Sequence, residues 1–241
     1  MSAQLKFSVV VPAYNEERRL PATLDRIGGY LAQRGSLLPA EIIVVDDGST
    51  DGTSGVAAAT GVVPGVAVRV IRLAGNRGKG GAVRAGLEAS RGERVLISDA
   101  DLATPIEEVE TLLASGADLA VGSRALRREL ISRRQPPARD VMGRVFNLAL
   151  RALGLTRLQD TQCGFKLLEG SLARRLAAAM RLDGFAFDIE MLARAERAGA
   201  TIAEVPVRWR HVDASRVRPL RHGMQMLRDA LRVRLWLWSG R

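Results

Sequence analysis

The feature that most restricts the fold of this chain is a repeat of short apolar runs, each stopping in a polar cluster. Residues 7–11 are apolar except at Ser8 and run into Pro12-Ala13-Tyr14-Asn15-Glu16. Residues 41–45 end in Asp46-Asp47-Gly48-Ser49, and residues 67–73 lead into a turn holding Asn76, Gly78, Lys79 and Gly80. Residues 95–97 deliver Asp99 and Asp101, and residues 118–121 precede Ser123-Arg124. Between the runs lie segments of helical spacing. The longest, residues 16–33, carries Leu20, Leu24, Ile27 and Leu31 with Asn15 as its expected N-cap, and shorter helices are expected over 52–60 and 82–90. Short strands split by helices predict an α/β chain with a mostly parallel, doubly wound sheet and right-handed crossovers. Such sheets bind ligands beyond the C-terminal ends of their strands. All of the polar clusters fall there.

Asp99 and Asp101 are the sharpest of these signals. Two carboxylates at i and i+2 after an extended run point to one side and can converge on one cation. Hard oxygen donors suit Mg²⁺ or Mn²⁺, which keeps waters and completes its shell with substrate phosphates. A helix is expected to start at Pro105, with Thr104 as N-cap and Glu107 and Glu108 in its first turn. The glycines around Lys79 suit close backbone approach to a phosphate or ribose. They match neither a P-loop, since Gly80 follows Lys79, nor a dinucleotide fingerprint, since the first strand ends in Pro12-Ala13-Tyr14 without glycine.

Composition narrows the function classes. The 241 residues suit one α/β domain with a C-terminal extension, and no run of apolar residues is long enough to span a membrane. The first residues lack the apolar centre of a signal peptide. Cys163 is the sole cysteine, which excludes an internal disulfide, fits a reducing cytoplasm and reads as a buried thiol. The net charge of +10 comes from arginine, because Lys6, Lys79 and Lys166 are the only lysines. That charge favours anionic partners. Nucleic acid is set aside: aromatic residues make up 4%, no recognition motif is present, and carboxylates cluster where phosphates would have to sit.

The second half is less regular. Residues 124–139 are rich in arginine, hold Pro136-Pro137 and are expected to form a loop before a helix over 140–153. Gln162 and Lys166 are candidates for reaching ligand oxygens, with Asp160 capping a turn. Asp188 and Glu190 are candidates for ligand hydroxyls, Asp188 also for the start of a helix running to residue 198. His211 and His222 show no metal spacing and are expected at the surface. From Arg216 on, seven arginines face one acid, Asp229. Leu220, Met224, Leu227, Leu231, Leu235 and Trp238 recur at helical spacing, with Arg221, Arg228 and Arg232 elsewhere on the wheel. This is the pattern of an interfacial amphipathic helix, or of one packed on the domain or a partner.

Taken together, Val11-Pro-Ala-Tyr-Asn-Glu16, Asp46-Asp-Gly-Ser-Thr-Asp-Gly52, Asn76-Arg-Gly-Lys-Gly80, Ser98-Asp-Ala-Asp-Leu-Ala-Thr-Pro105 and Gly122-Ser-Arg124 resemble family 2 glycosyltransferases of the GT-A fold. Asp160-Thr-Gln-Cys-Gly-Phe-Lys166, Phe187-Asp-Ile-Glu190 and Val205-Pro-Val-Arg-Trp209 are similar to polyprenyl and dolichyl phosphate sugar synthases, within which the dolichyl-phosphate glucosyltransferase-like subgroup is nearest. The resemblance implies inverting transfer of a hexose, glucose favoured, from a nucleotide sugar, UDP favoured, to a polyprenyl phosphate. By position, Pro12, Ala13, Tyr14 and Glu16 would line the nucleoside pocket and Asp46 or Asp47 would meet the base. Asn76, Lys79 and Gly80 would follow the ribose and sugar, and Asp99 and Asp101 would hold Mg²⁺ or Mn²⁺ on the diphosphate. Arg124, Gln162, Asp188 and Arg216 join the two aspartates as candidate catalytic residues, and Ser215-Arg216 matches a pair that closes on the donor. A glutamine common in mannose-transferring members is replaced here by Ala103, which argues against a mannose donor. GDP-mannose or a sugar-hydroxyl acceptor remain the alternatives, the latter needing a base such as Asp188. Residues 1–218 are expected to form the transferase domain. Residues 219–241 are expected to form a basic helix on an anionic membrane, which places the protein in the cytoplasm, peripheral to the inner face of the cell membrane.

Overall fold

The computed structural model describes residues 4–61, 63–212 and 219–239. In chain order the elements are β1 (Phe7–Ala13), α1 (Leu20–Ala32), β2 (Ala40–Asp46), α2 (Thr53–Ala58), β3 (Val66–Arg72), α3 (Lys79–Ala89) and β4 (Arg94–Ser98). They continue with α4 (Val109–Ala114), β5 (Leu119–Ser123), β6 (Ile131–Arg133), α5 (Pro137–Ala152), β7 (Phe165–Glu169) and α6 (Gly170–Ala179). The last are α7 (Phe187–Arg197), β8 (Ile202–Pro206), β9 (Trp209–Arg210) and α8 (Pro219–Trp238).

The main sheet has seven strands in the order β3-β2-β1-β4-β7-β5-β8. Its inner strands are apolar on both faces, as a sheet covered by helices on both sides requires. Alternate residues sort cleanly. Val9, Val11, Ile42 and Val44 enter one core under α1 and α4, while Val10, Ile43 and Val45 enter the other under α3, α6 and α7. The expected α/β sheet is therefore present, with one strand reversed. β7 runs antiparallel to both β4 and β5 and lies between them, with Ser98 opposite Phe165. That register carries the chain just before β7 across the C-terminal end of β4, directly against Asp99.

Several helix starts differ from the sequence expectation. α1 begins at Leu20 behind Arg19, not at Glu16 behind Asn15. Asn15 takes a left-handed turn, φ 53°, and its side-chain oxygen accepts from Thr50 N at 2.7 Å, tying two loops together instead of capping a helix. Pro105, not Thr104, occupies the cap position of the next helical segment, and the Thr104 hydroxyl meets the Cys163 sulfur at 3.8 Å. The arginine-rich segment is not a plain loop. Its β6 pairs with β9, so that Ile131 stands opposite Trp209, and α5 already begins at Pro137.

α5, α7 and α8 build a third core from Leu150, Leu155, Ala186, Ile189, Met226, Ala230 and Val233. α8 is thus packed on the domain through one face. The stripe visible in the sequence points the other way: Met224, Leu227, Leu231 and Leu235 are exposed, and so are Val141, Val145 and Leu148 of α5. No helix among the described residues is long and apolar enough to cross a membrane.

Candidate active site

The C-terminal ends of β1, β2, β4 and β5 open onto a cleft of about 620 Å³. At one end it is lined by Pro12, Ala13, Tyr14, Glu16, Asp47, Asn76, Gly78 and Lys79. The loop after β2 is built around its own acids. Asp46 is fully buried; its carboxylate accepts from Ser49 N at 2.8 Å and from the Ser54 hydroxyl, and those bonds outweigh burial and hold it below the usual carboxylate range. The same loop grips the turn after β1, since Asn15 N donates to Ser49 Oγ at 2.8 Å and Glu16 N to Thr53 Oγ1 at 2.7 Å. Asp46 does not line the cleft, and of the adjacent pair Asp47 is the one that does. Asp47 accepts from Arg77 N at 2.7 Å and Gly78 N at 2.8 Å, while burial, against those two donors, pushes its carboxyl up.

The glycine-rich turn owes its shape to packing as much as to any ligand. Gly78 sits at φ +97°, and a Cβ there would meet Asp183 O at 2.6 Å. A Cβ on Gly80 would meet Leu182 O at 2.5 Å and Phe187 Cβ at 2.6 Å. Gly80 therefore serves the contact with α7 and does not line the cleft. The opposing segment, residues 181–184, is held by the buried Glu190, whose carboxylate accepts from Arg181 N and Leu182 N at 2.8–3.0 Å and pairs with Arg194. Glu190 thus buttresses the turn and is kept away from sugar hydroxyls.

Asp99 and Asp101 both line the cleft. Lys79, the first residue of α3, places its Nζ 2.6 Å from Asp99 Oδ1. Burial works against the Lys79 charge, but Asp99 and Asp188 outweigh it and raise its pKa. The Asp99 carboxylate lies flat on Gly164, where a Cβ would stand 2.0 Å from Oδ2. Asp101 accepts from Ala103 N at 3.0 Å, and burial together with the neighbouring Asp99 charge pushes its carboxyl up. Among the described residues no group of three or more His, Cys, Asp or Glu is placed to hold a metal ion. A cation here would rest on two carboxylates and take further oxygens from a bound diphosphate, the usual arrangement for Mg²⁺.

The second half of the chain supplies the far wall. Arg124 lines the cleft and is held by Asp160, Nε to Oδ2 at 2.6 Å and Nη2 to Oδ1 at 2.8 Å, with its guanidinium 5.4 Å from the Trp209 ring. Asp160 itself is fixed from behind, because Glu204 accepts both its backbone N–H and that of Gln159 at 2.8 Å. Its role is to aim Arg124, not to cap a turn alone. Gln162 lines the cleft with its amide toward Met226 Sδ, 3.8 Å away. Lys166 does not reach the cleft. It is fully buried, donates to Cys163 O at 2.6 Å and stands 2.6 Å from Asp188 Oδ1. Asp188 does line the cleft, at the first turn of α7, and burial raises its carboxyl against the pull of Lys166 and Lys79. Cys163 is buried and its thiol is pushed up by that burial, which makes it inert. His211 also lines the cleft, whereas Ser215 and Arg216 lie outside the described residues, as does residue 218, the expected end of the transferase domain.

Sequence reasoning missed Arg19, paired with Glu16 at 2.6 Å, and the apolar wall of Met142, Phe146, Phe185, Trp209 and Met226. Trp209 had a signal, since it ends the Val-Pro-Val-Arg-Trp string that carries part of the family resemblance. The others had none, because an apolar residue facing a cleft reads like one facing a core.

A mostly parallel sheet with an acidic pair at the end of β4, a glycine-rich turn opposite it and a cleft-lining acid after β2 defines a sugar-nucleotide-dependent glycosyltransferase of the GT-A fold. Residues 8–176 match the family described as glycosyl transferase family 2, and the chain belongs to that family. It is similar to the dolichyl-phosphate beta-glucosyltransferase of Mus musculus, at 42% identity over 98% of this chain and 76% of the mouse protein. The Saccharomyces cerevisiae protein of the same name is 32% identical over 96% of this chain and 75% of its own. Among solved structures, glucosyl-3-phosphoglycerate synthase from Mycobacterium tuberculosis in complex with Mn²⁺, UDP-glucose and phosphoglyceric acid superposes with a TM-score of 0.70 at 26% identity, covering 95% of this chain and 79% of that one. The same enzyme with Mg²⁺ and UDP gives 0.67.

Proposed function

We propose that this glycosyltransferase moves glucose from UDP-glucose to the phosphate of a dolichol-type polyprenyl phosphate, with inversion, at a membrane surface. The observation that carries the reading is the mixed lining of the cleft. It combines polar groups for a nucleotide sugar, Asp47, Asn76, Lys79, Asp99 and Asp101, with apolar side chains for a lipid, Met142, Phe146, Phe185 and Met226. The relatives named dolichyl-phosphate beta-glucosyltransferase and the neighbour that binds UDP-glucose support the same donor and acceptor.

The residues present fit Mg²⁺ or Mn²⁺, because Asp99 and Asp101 offer hard oxygens side by side in the cleft. A bound cation would offset the charge that grows on the leaving diphosphate. The chain's own part follows from its geometry. Asp47 would accept from the base, Asn76 would follow the ribose, and Asp188 would accept from a sugar hydroxyl. Lys79 and Arg124 would draw negative charge off the departing diphosphate in a site shielded from water. Arg216 and Ser215 would close over the donor. No general base is needed for this acceptor, since a phosphate monoester carries about −1.5 to −2 charges at neutral pH and is already nucleophilic. A sugar-hydroxyl acceptor would need one, and Asp188, with its raised carboxyl, would serve.

Residues 1–218 would be the transferase domain. The 219–241 helix would be its membrane-facing part, presenting the exposed stripes of α5 and α8 with their arginines to anionic lipid, peripheral to the cytoplasmic face of the membrane. The test is incubation with radiolabelled UDP-glucose, Mg²⁺ or Mn²⁺ and a polyprenyl phosphate. Labelled glucose should move into the organic phase as an acid-labile lipid. No transfer from UDP-glucose, with transfer from GDP-mannose or to a free sugar instead, would overturn the assignment.

A further inference from the structure

The cleft that would receive a divalent cation already contains a cation of its own. Lys79 Nζ stands 2.6 Å from Asp99 Oδ1, with side chains only 24% and 33% exposed. The carboxylate has little freedom to move away. It lies on Gly164, which the antiparallel pairing of β7 with β4 fixes in place. The backbone under Lys79 is fixed too, by Gly78 at φ +97° and by the bond from Gly81 N to Asp183 O at 3.1 Å. What remains free is the four-carbon stem of the lysine, a flexible tether with a compact charge at its end. Two cations cannot occupy the same face of one carboxylate oxygen. A metal ion taking Asp99 Oδ1 must therefore displace the ammonium, which then needs another anion. Two would offer themselves along the cleft: Asp188, which also lines it, and the diphosphate that a bound donor would bring.

We infer that Lys79 is a resident counter-ion of Asp99 that keeps divalent cations out of the empty cleft, so that cation and nucleotide sugar enter together. Lys79 leaves Asp99 when a diphosphate arrives to receive it, and the vacated oxygen takes the metal. The inference rests on the donor and metal assignment above and adds an order of binding to it. Cation and nucleotide are thereby coupled through one side chain, and by linkage each strengthens the other to the same degree.

Loss of the hexaaquo Mn²⁺ paramagnetic resonance signal on binding, with and without UDP, tests this directly on wild type, Lys79→Met, Lys79→Gln and Lys79→Arg. Wild type should bind Mn²⁺ weakly alone and tightly with UDP. The two neutral variants should bind Mn²⁺ alone more tightly than wild type, on the order of tenfold, and Lys79→Arg should stay near wild type because it keeps the charge. Using two neutral side chains guards against one of them failing to fold. If wild type takes up Mn²⁺ with UDP but neither neutral variant gains affinity without it, the inference is wrong and the metal assignment stands. If wild type takes up no Mn²⁺ even with UDP, both fall, and calorimetry of UDP binding without metal then decides whether the donor assignment survives.

Discussion

Arg124 and Asp160 form a two-bond ion pair at the rim of the cleft, 2.6 Å at Nε and 2.8 Å at Nη2, with the carboxylate buried and the guanidinium about a quarter exposed. The planar fork leaves one edge of the guanidinium for a ligand while the other is locked. Asp160→Asn should therefore cost stability, about 3 kcal/mol, the low end for a broken buried pair because Arg124 keeps some water. It should also lower turnover by freeing Arg124. Arg124, as cation and donor, holds the Asp160 carboxyl below its usual value even against burial. The pair's contribution is thus fully present above the unfolded pKa of about 3.9 and is lost as pH falls through the lower folded value. Melting curves of the two proteins should differ at pH 7 and converge in strong acid; a constant difference down to pH 2 would show that the pair does not act as an ion pair.

Asp101→Asn should behave in the opposite sense. Burial and Asp99 raise its carboxyl, so ionisation of Asp101 opposes folding above the unfolded value. The variant should melt no lower than wild type at neutral pH and still lose Mn²⁺-dependent binding of UDP-glucose and transfer activity. A clear drop in melting temperature would instead mark Asp101 as structural.

Gly164→Ala probes how far Asp99 depends on the chain before β7. The new methyl would fall 2.0 Å from Oδ2, so the carboxylate must move by about an ångström. A displacement of that size at a reacting centre costs on the order of 10²-fold in rate. Steady-state kinetics should show it with the fold retained by circular dichroism, and wild-type turnover would disprove the contact.

α8 offers two faces with separable effects. Leu227→Gln with Leu231→Gln alters only the exposed stripe and should leave the melting temperature within a degree or so, since such surface changes rarely exceed about 0.5 kcal/mol. It should weaken co-flotation with anionic vesicles at low salt and slow transfer to long-chain acceptor more than to a short soluble one. Val233→Ala alters the packed face and should cost about 1–2 kcal/mol without changing vesicle binding. Equal effects of the two on stability would mean that both faces are buried in solution.

Much of this protein was legible from local pattern alone. The unbroken apolar runs through Val9, Val10 and Val11 and through Ile42, Ile43 and Val44 announced strands, and the structure sorts alternate residues of each into two cores. The position of Asp47, Lys79, Asp99 and Asp101 at strand ends followed from the same reading, because the C-terminal edge of a parallel sheet collects whatever follows each strand. These are properties of residues near one another in sequence.

What only the tertiary structure decided is which of two equivalent groups meets the cleft. Asp46 and Asp47 are adjacent and identical in charge, yet Asp46 is used up by Ser49 and Ser54 while Asp47 lines the cleft. Lys79 and Lys166 both belong to polar strings, yet one lines the cleft and the other is sealed under it against Asp188. In α8 the conspicuous leucine stripe proved to be the exposed face, and the small set of Met226, Ala230 and Val233 the packed one. Periodicity shows that a helix has an apolar face. Which face is covered depends on the shape and volume of a partner surface, here α5 and α7, that is far away in the chain and leaves no local trace in it.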